Sequence, residues 1–199
     1  MRVVTAILLL LLAGGASAGA HEPKLPDAAA FAAAAGPEQR QLIADIEAFL
    51  ATYAEHYNRQ DYKALLDMWD GDDANPMYMA EEINPPMYGW KTISKYFNPI
   101  PGQQVLDGIR NEYSDVRAHY LADDLALATY LLRFDLKVKR QKAMSSWDRV
   151  MAVFRRIDGE WKLTAYAEAP MAPLTMVRKM LESAVPEDFD DILEKEKKE

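Results

Sequence analysis

The chain has 199 residues, half of them hydrophobic, with 23 basic against 31 acidic side chains and a formal charge of −8. An acidic chain without a Lys/Arg cluster is a poor partner for nucleic acid or anionic lipid. With no cysteine, a disulfide scaffold, a thiolate metal site and a thiol-anchored lipoprotein are excluded. The fold must then rest on a hydrophobic core, for which about 165 ordered residues in one domain suffice.

Residues 1–20 read as a secretory signal peptide. Met1-Arg2 is a short basic start, "AILLLLLAGG" is an apolar run, and Ala16-Ser17-Ala18 (or Ala18-Gly19-Ala20) is a small-residue cleavage site. The run is too short to span a bilayer, so a periplasmic or secreted protein is expected, free of the membrane once the signal is removed. Residues 21–37 are rich in Ala and Pro and read as a mobile leader. A helix follows from about Glu38 to Asn58, with Leu42, Ile46, Phe49, Leu50, Tyr53 and Tyr57 on one stripe. Asp61 caps a second helix that ends near Trp69. "DGDDANPMYMAE" spaces its carboxylates much as a calcium loop does, but Ala74 and Asn75 stand where a ligand and the turn glycine belong. His21, His56 and His119 are scattered, and no metal is expected.

"MYMA", Met77 to Ala80, is a short strand, and "EEINPP" is a loop. A third helix runs from Trp90 to Phe97 and is stopped by Asn98-Pro99 and Pro101-Gly102. From about Ile109 the period becomes two, and three or four long strands extend to Ala169. Pro170 and Pro173 end the sheet; residues 171–199 carry a short helical pattern and a charged tail. Helices first and a long antiparallel meander after them make an α+β order.

"FLATYAEHYNRQDYKALLDMW", "GWKTISKYF", "LADDLALATY" and "VFRRIDGEWKL" resemble the SnoaL-like branch of the NTF2-like superfamily. The resemblance covers roughly Leu42 to Pro170, with a domain over residues 38–170. It implies a cone: three N-terminal helices packed in a strongly bent antiparallel sheet, a pocket at the open end, and a homodimer through the outer face. The motifs speak for the fold more than for an activity, since the superfamily holds isomerases, cyclases, dehydratases, lyases and binding modules.

Turn chemistry sets the strand register. Asp158-Gly159 is a two-residue hairpin signal that pairs Ile157 with Glu160, Phe154 with Leu163 and Ala152 with Ala165. One face then gathers Val150, Ala152, Phe154, Trp161, Leu163, Ala165 and Ala167, which is the concave face; Tyr166 and Glu168 fall outside, Glu168 opposite Arg149. Asp123-Asp124 makes the preceding turn and pairs Tyr120 with Leu127. An even loop near Lys139-Arg140 would set Leu131 opposite Asp148, bringing Tyr120, Arg133, Ser114, Ser146 and Asp148 inside. A bulge would turn them out, because a one-residue slip reverses every side chain. Tyr130, Leu132, Phe134, Trp147, Met151 and Tyr166 would form an outer apolar patch that a homodimer covers.

Candidate residues follow from these faces. Tyr53 is either a core tyrosine or an oxyanion donor facing the small-residue end of the sheet, while Tyr57 packs near the helix end. Arg133 and Asp148 are either a structural pair at the pocket mouth or a ligand-binding pair. Glu81 is a candidate general base at the rim, and Glu82 reads as a surface residue. Tyr88, Trp90, Tyr120 and Ala152 would line an aromatic pocket. Similarity to the superfamily's steroid isomerases puts their oxyanion tyrosine on Tyr53 and their second oxyanion acid near Ala152. Their base falls on Met77 to Ala80, where there is no carboxylate, so steroid isomerisation is not supported. Such a pocket, needing no cofactor, suits a lyase or isomerase acting by acid/base chemistry on a hydroxylated aromatic or polycyclic small molecule. The resemblance extends to lyases that release formaldehyde from lignin-derived aromatic dimers. A non-catalytic periplasmic binding module is the alternative.

Overall fold

The computed structural model describes residues 28–83, 85–97 and 106–170. The signal peptide, the first part of the leader and the C-terminal segment 171–199 lie outside the described residues. Among the described residues, four helices and six strands follow one another: α1 (Ala28–Ala34), α2 (Pro37–Asn58), α3 (Tyr62–Asp67), β1 (Met77–Met79), β2 (Met87–Tyr88), α4 (Trp90–Phe97), β3 (Leu106–Ala122), β4 (Leu125–Val138), β5 (Met144–Ile157) and β6 (Glu160–Pro170).

The segment expected as a mobile leader is helical from Ala28 on. Alanine is the strongest helix former, and the turn is held by Phe31, which packs on the core under the Arg117 guanidinium, 5.6 Å from its ring centre. Pro37 opens α2, where its missing N–H costs nothing. Asp61 caps α3 as expected, its side chain accepting from the Ala64 N–H at 3.1 Å.

The strands form one sheet in the order β2-β1-β6-β5-β4-β3. It is mixed rather than purely antiparallel, because β1 pairs parallel to β6. The α+β architecture is a bent six-stranded sheet with the helices against it. The core lies between α2 and the concave face: Leu42, Ile46, Leu50 and Tyr53 on the helix meet Ala118, Ala128, Val150 and Phe154 on the sheet.

The hairpin at Asp158-Gly159 forms with both residues at positive φ, and pairs Ile157 with Glu160 and Phe154 with Leu163. Beyond Phe154 a bulge at Thr164 shifts the register, so Ala152 lies opposite Tyr166 and Val150 opposite Glu168. Tyr166 and Glu168 therefore face inward, and Ala165 and Ala167 outward. The β4–β5 loop is odd and centred on Arg140, at φ +65°, so Leu132 rather than Leu131 faces Asp148. Tyr130, Leu132 and Phe134 turn into the core, while Leu131 and Arg133 turn out, as a one-residue slip requires. A second bulge near Leu121 and a third near Asp115 reset β3, leaving Ser114 outside. Four of the six side chains counted toward a dimer face thus lie inside; Trp147 and Met151 remain on the outer face.

Asp70 fixes the chain after α3 against β6. Its N–H donates to the Leu163 carbonyl at 2.8 Å, and its buried carboxylate accepts from Arg155 Nη1 at 3.0 Å. Replacing Arg155 by Met leaves that carboxylate in the interior without its cation. Arg155→Met should cost about 2 kcal/mol of stability, read as a lower urea midpoint with an unchanged slope.

Candidate functional site

At the open end of the cone, α2, α4, the β1–β2 segment and β3–β6 enclose a cavity of about 620 Å³. Aliphatic side chains of β3 and β4, such as Ile109, Leu132 and Leu136, make one wall. Tyr57 from α2, Tyr78 from β1, and Tyr96 and Phe97 from α4 make the other. Four carboxylates enter this largely apolar space: Asp148 from β5, Glu168 from β6, and Glu81 and Glu82 from the turn after β1.

Alternation along the sheet brings Asp148 and Glu168 together. Asp148 lies opposite Pro170 and Glu168 opposite Val150, so the two acids are diagonal neighbours on the concave face. That relation separates them by roughly 7 Å. β1 runs parallel beside β6, with Tyr78 opposite Tyr166 and their rings stacked at 5.3 Å, which carries Glu81 to the same corner.

The two acids have different surroundings. Asp148 is 1% exposed, and neither of its oxygens receives a hydrogen bond. Burial pushes its carboxyl up to about 8; the Glu81 charge, a hydrogen bond to the Glu81 carboxylate that favours the protonated acid, and the Glu82 charge add to the rise, and Arg149 opposes it. Glu168 accepts from the Tyr78 hydroxyl at 3.3 Å and from the Glu81 N–H at 3.4 Å. Burial also pushes Glu168 up to about 8, helped by the charges of Asp148 and Glu82, while those two donors favour its anion. Glu82 is anchored by the Tyr96 hydroxyl at 2.7 Å. Burial keeps the phenols of Tyr57 and Tyr78 neutral, hence proton donors at any working pH. At neutral pH the pair holds at least one proton. The proton rests more readily on Asp148, which has no donor to stabilise its anion, and the charge on Glu168, which has two.

Of the residues expected from the sequence, Asp148 and Glu81 line the cavity and the others lie elsewhere. Tyr53 is 0% exposed and sits behind Tyr57, among the rings of Phe49, Tyr57, Tyr113 and Tyr166; its hydroxyl faces the Trp69 side chain, whose hydrogen bond partly offsets the upward push of burial on the phenol. Arg133 is on the outer face, paired with Glu112 at 3.1 Å and Asp135 at 3.2 Å, because β4 is shifted by one residue. Tyr88 is 62% exposed on the two-residue strand β2. Trp90 packs edge-on against Trp69 at 6.0 Å, supporting α4 rather than facing the cavity. Tyr120 lies by Trp161 and by Gly36–Gln39, away from the carboxylates. Ala152 is buried in the core.

Sequence reading missed Glu168, Tyr78 and Tyr96 as site residues and took Glu82 for a surface one. The signal for Glu168 was in "WKLTAYAEA": the large side chains change parity between Leu163 and Tyr166, which is the mark of a bulge. Tyr57 is at the cavity wall and Tyr53 behind it, the reverse of the placement that helix position suggested. Tyr57→Phe should lower turnover by about tenfold, the scale of one hydrogen bond. Tyr53→Phe should leave turnover within about twofold and lower stability by about 1 kcal/mol, since the ring stays and only the contact with Trp69 is lost. Parallel kinetics and melting curves of the two variants check both.

Residues 46–173 match the family model of the SnoaL-like domain. Solved structures with the same fold include a Novosphingobium aromaticivorans protein assigned the name scytalone dehydratase: 12% identity, TM-score 0.59, covering 68% of this chain and 89% of that one. A Streptomyces avermitilis protein named as a dehydratase of the NTF2-like family shares 17% identity at TM-score 0.57, covering 67% of this chain and 99% of that one. A second Novosphingobium aromaticivorans protein, assigned the name aromatic ring hydroxylase, shares 19% identity at TM-score 0.57, covering 70% and 93%. A search of curated proteins returned no match. At these identities the structures establish the NTF2-like fold, and the family match over most of the chain establishes membership: the chain belongs to the SnoaL-like domain family.

Proposed function

We propose that the protein is a lyase or isomerase that acts by proton transfer on a hydroxylated aromatic small molecule, with Asp148 as general acid and Glu168 as general base. The observation that carries this is Asp148: a carboxyl 1% exposed, with no donor to either oxygen, in the wall of a 620 Å³ cavity diagonal to a second acid. A buried polar group without a partner is costly, and a cost borne at the wall of a cavity marks a functional group.

The pair accounts for two related reactions. In a dehydration Glu168 takes a proton from carbon, and the C–H electrons become the double bond. The hydroxyl leaves with the C–O electrons and takes the Asp148 proton as water. In cleavage of an aromatic 1,3-diol Glu168 takes the proton of the primary hydroxyl, and its O–H electrons become the carbonyl of formaldehyde. The C–C electrons then become the alkene, and the benzylic hydroxyl departs as water with the Asp148 proton. Returning the proton from Glu168 to Asp148 resets the site, so neither reaction requires a cofactor. The aromatic rings of Tyr57, Tyr96 and Phe97 favour a flat substrate. The names of the structural neighbours, two dehydratases and an aromatic ring hydroxylase, accord with chemistry on such molecules. Residues 1–20 add that the enzyme works outside the cytoplasm.

The test is turnover by the purified protein, without added metal or nucleotide, of a panel of aromatic diols and alcohols. Alkene is followed by absorbance and formaldehyde by trapping. A bound aromatic recovered unchanged, across the panel, would instead identify a binding module.

A further inference from the structure

We propose that this cavity selects its ligand by charge: it takes an aromatic body carrying an ammonium group and refuses the same body carrying a carboxylate. The proposal rests on reading the cavity as the substrate site, and narrows that reading to hydroxylated aromatics that bear a basic nitrogen. Three features carry it. The described residues of the lining include four carboxylates and no Lys, Arg or His. Asp148, 1% exposed, lines the space beside the Glu81 carboxylate, and neither of its oxygens receives a hydrogen bond. Tyr57, Tyr96 and Phe97 bring aromatic rings to the same wall, and aromatic rings are the usual complement of an ammonium in a desolvated site.

The acceptors outnumber the donors. Tyr78 and the Glu81 N–H serve Glu168, and Tyr96 serves Glu82; Asp148 meets only the Glu81 carboxylate, which brings no donor of its own when ionised, so the pair has acceptor capacity left for the ligand. The positive group acting on Asp148 is Arg149, whose side chain is on the outer face of β5 and donates to the Pro170 carbonyl at 3.4 Å. An ammonium entering the cavity supplies donors and charge together, forming charge-assisted hydrogen bonds. An entering carboxylate adds one more anion to a site that already disfavours ionisation.

A second consequence follows from the groups that face one another here: Asp148 and Glu168 from the sheet, Glu81 and Glu82 from the β1–β2 segment, the Tyr78 hydroxyl, and Arg149 beside them. Burial leaves Asp148 and Glu168 protonated near neutrality. An ammonium favours release of the Glu168 proton, which makes the base, and leaves the other proton on Asp148, so binding must strengthen as pH rises toward 8 while the amine itself keeps its charge.

Isothermal titration calorimetry on the mature full chain tests this with three probes of one shape: 2-phenylethylammonium, 2-phenylethanol and 3-phenylpropionate. At pH 8 the ammonium should bind about tenfold tighter than the alcohol, the difference between a charge-assisted and a neutral hydrogen bond, with the carboxylate weakest. The ammonium should bind more weakly at pH 6, and its advantage should vanish in Glu168→Gln and shrink in Asp148→Asn. Equal or tighter binding of the alcohol or the carboxylate overturns the proposal. So does an ammonium preference that survives both substitutions, or no ammonium binding at all. Turnover is measured separately: a charge-selective protein that turns nothing over refutes the reaction alone, and turnover of neutral diols with no charge preference refutes the selectivity alone.

Discussion

Asp148→Asn is expected to lower turnover about a thousandfold, within the range of a lost general acid, and at the same time to stabilise the protein, most strongly at alkaline pH. The two effects share one cause. The carboxyl of Asp148 is pushed up from 3.8 to about 8 by burial and by the neighbouring acids. Between those values the folded state holds a proton that the unfolded chain has released. The stability associated with that proton is fully present below pH 4 and is lost progressively as pH rises through 8. Above pH 8 the wild-type protein carries the whole cost of a buried anion, on the order of a few kcal/mol. Asparagine keeps the shape without the charge, so the gap in melting temperature between variant and wild type should widen from pH 5 to pH 9. A gap that stays constant, together with retained turnover, would mean that Asp148 is ionised throughout and is neither strained nor an acid.

Much of the architecture could be read from local chemistry. Asp61 as a helix cap, Asn98-Pro99 after the third helix and Asp158-Gly159 at the last hairpin each act within a few residues, and the structure has the cap, the helix and the hairpin where they were expected. Face assignment is non-local, and there the reading failed wherever a register shift intervened. In β4 the alternation was legible: Tyr130, Leu132, Phe134 and Leu136 are apolar, while Arg133, Asp135 and Lys137 are polar. An even loop around Arg140 contradicts that pattern, and it turns Arg133 inward and three side chains, Tyr130, Leu132 and Phe134, outward. The site suffered most because it is assembled from strand ends, where each shift accumulates. Asp148 stayed on the correct face, whereas Glu168, just beyond the Thr164 bulge, was placed opposite Arg149 on the wrong one. Glu81 was legible as a rim residue because it follows a short strand, whereas Tyr78 could not be brought to this corner, because nothing local announces that β1 pairs parallel to β6.

Glu168→Gln should change the shape of the pH dependence as well as its height. A pair that works with one proton gives a bell-shaped profile of kcat/KM, whose limbs belong to the pair as a unit. With both carboxyls pushed up to about 8, the optimum should lie near pH 8. The acidic limb reports loss of the base, Glu168, to protonation; the alkaline limb reports loss of the acid, Asp148, to ionisation. Glu168→Gln should therefore lower turnover about a hundredfold or more and flatten the acidic limb, leaving the fall above pH 8. Asp148→Asn should do the reverse, and should also let Glu168 ionise at lower pH, because the neighbouring charge that helps to raise it is gone. Tyr78→Phe supplies an independent check on the assignment. It removes a donor that favours the Glu168 anion, so the acidic limb should move to higher pH while the alkaline limb stays. A Glu168→Gln enzyme with both limbs intact would show that another group is the base. Flattening of the alkaline limb instead would exchange the roles of the two acids, making Glu168 the donor and the buried Asp148 the acceptor.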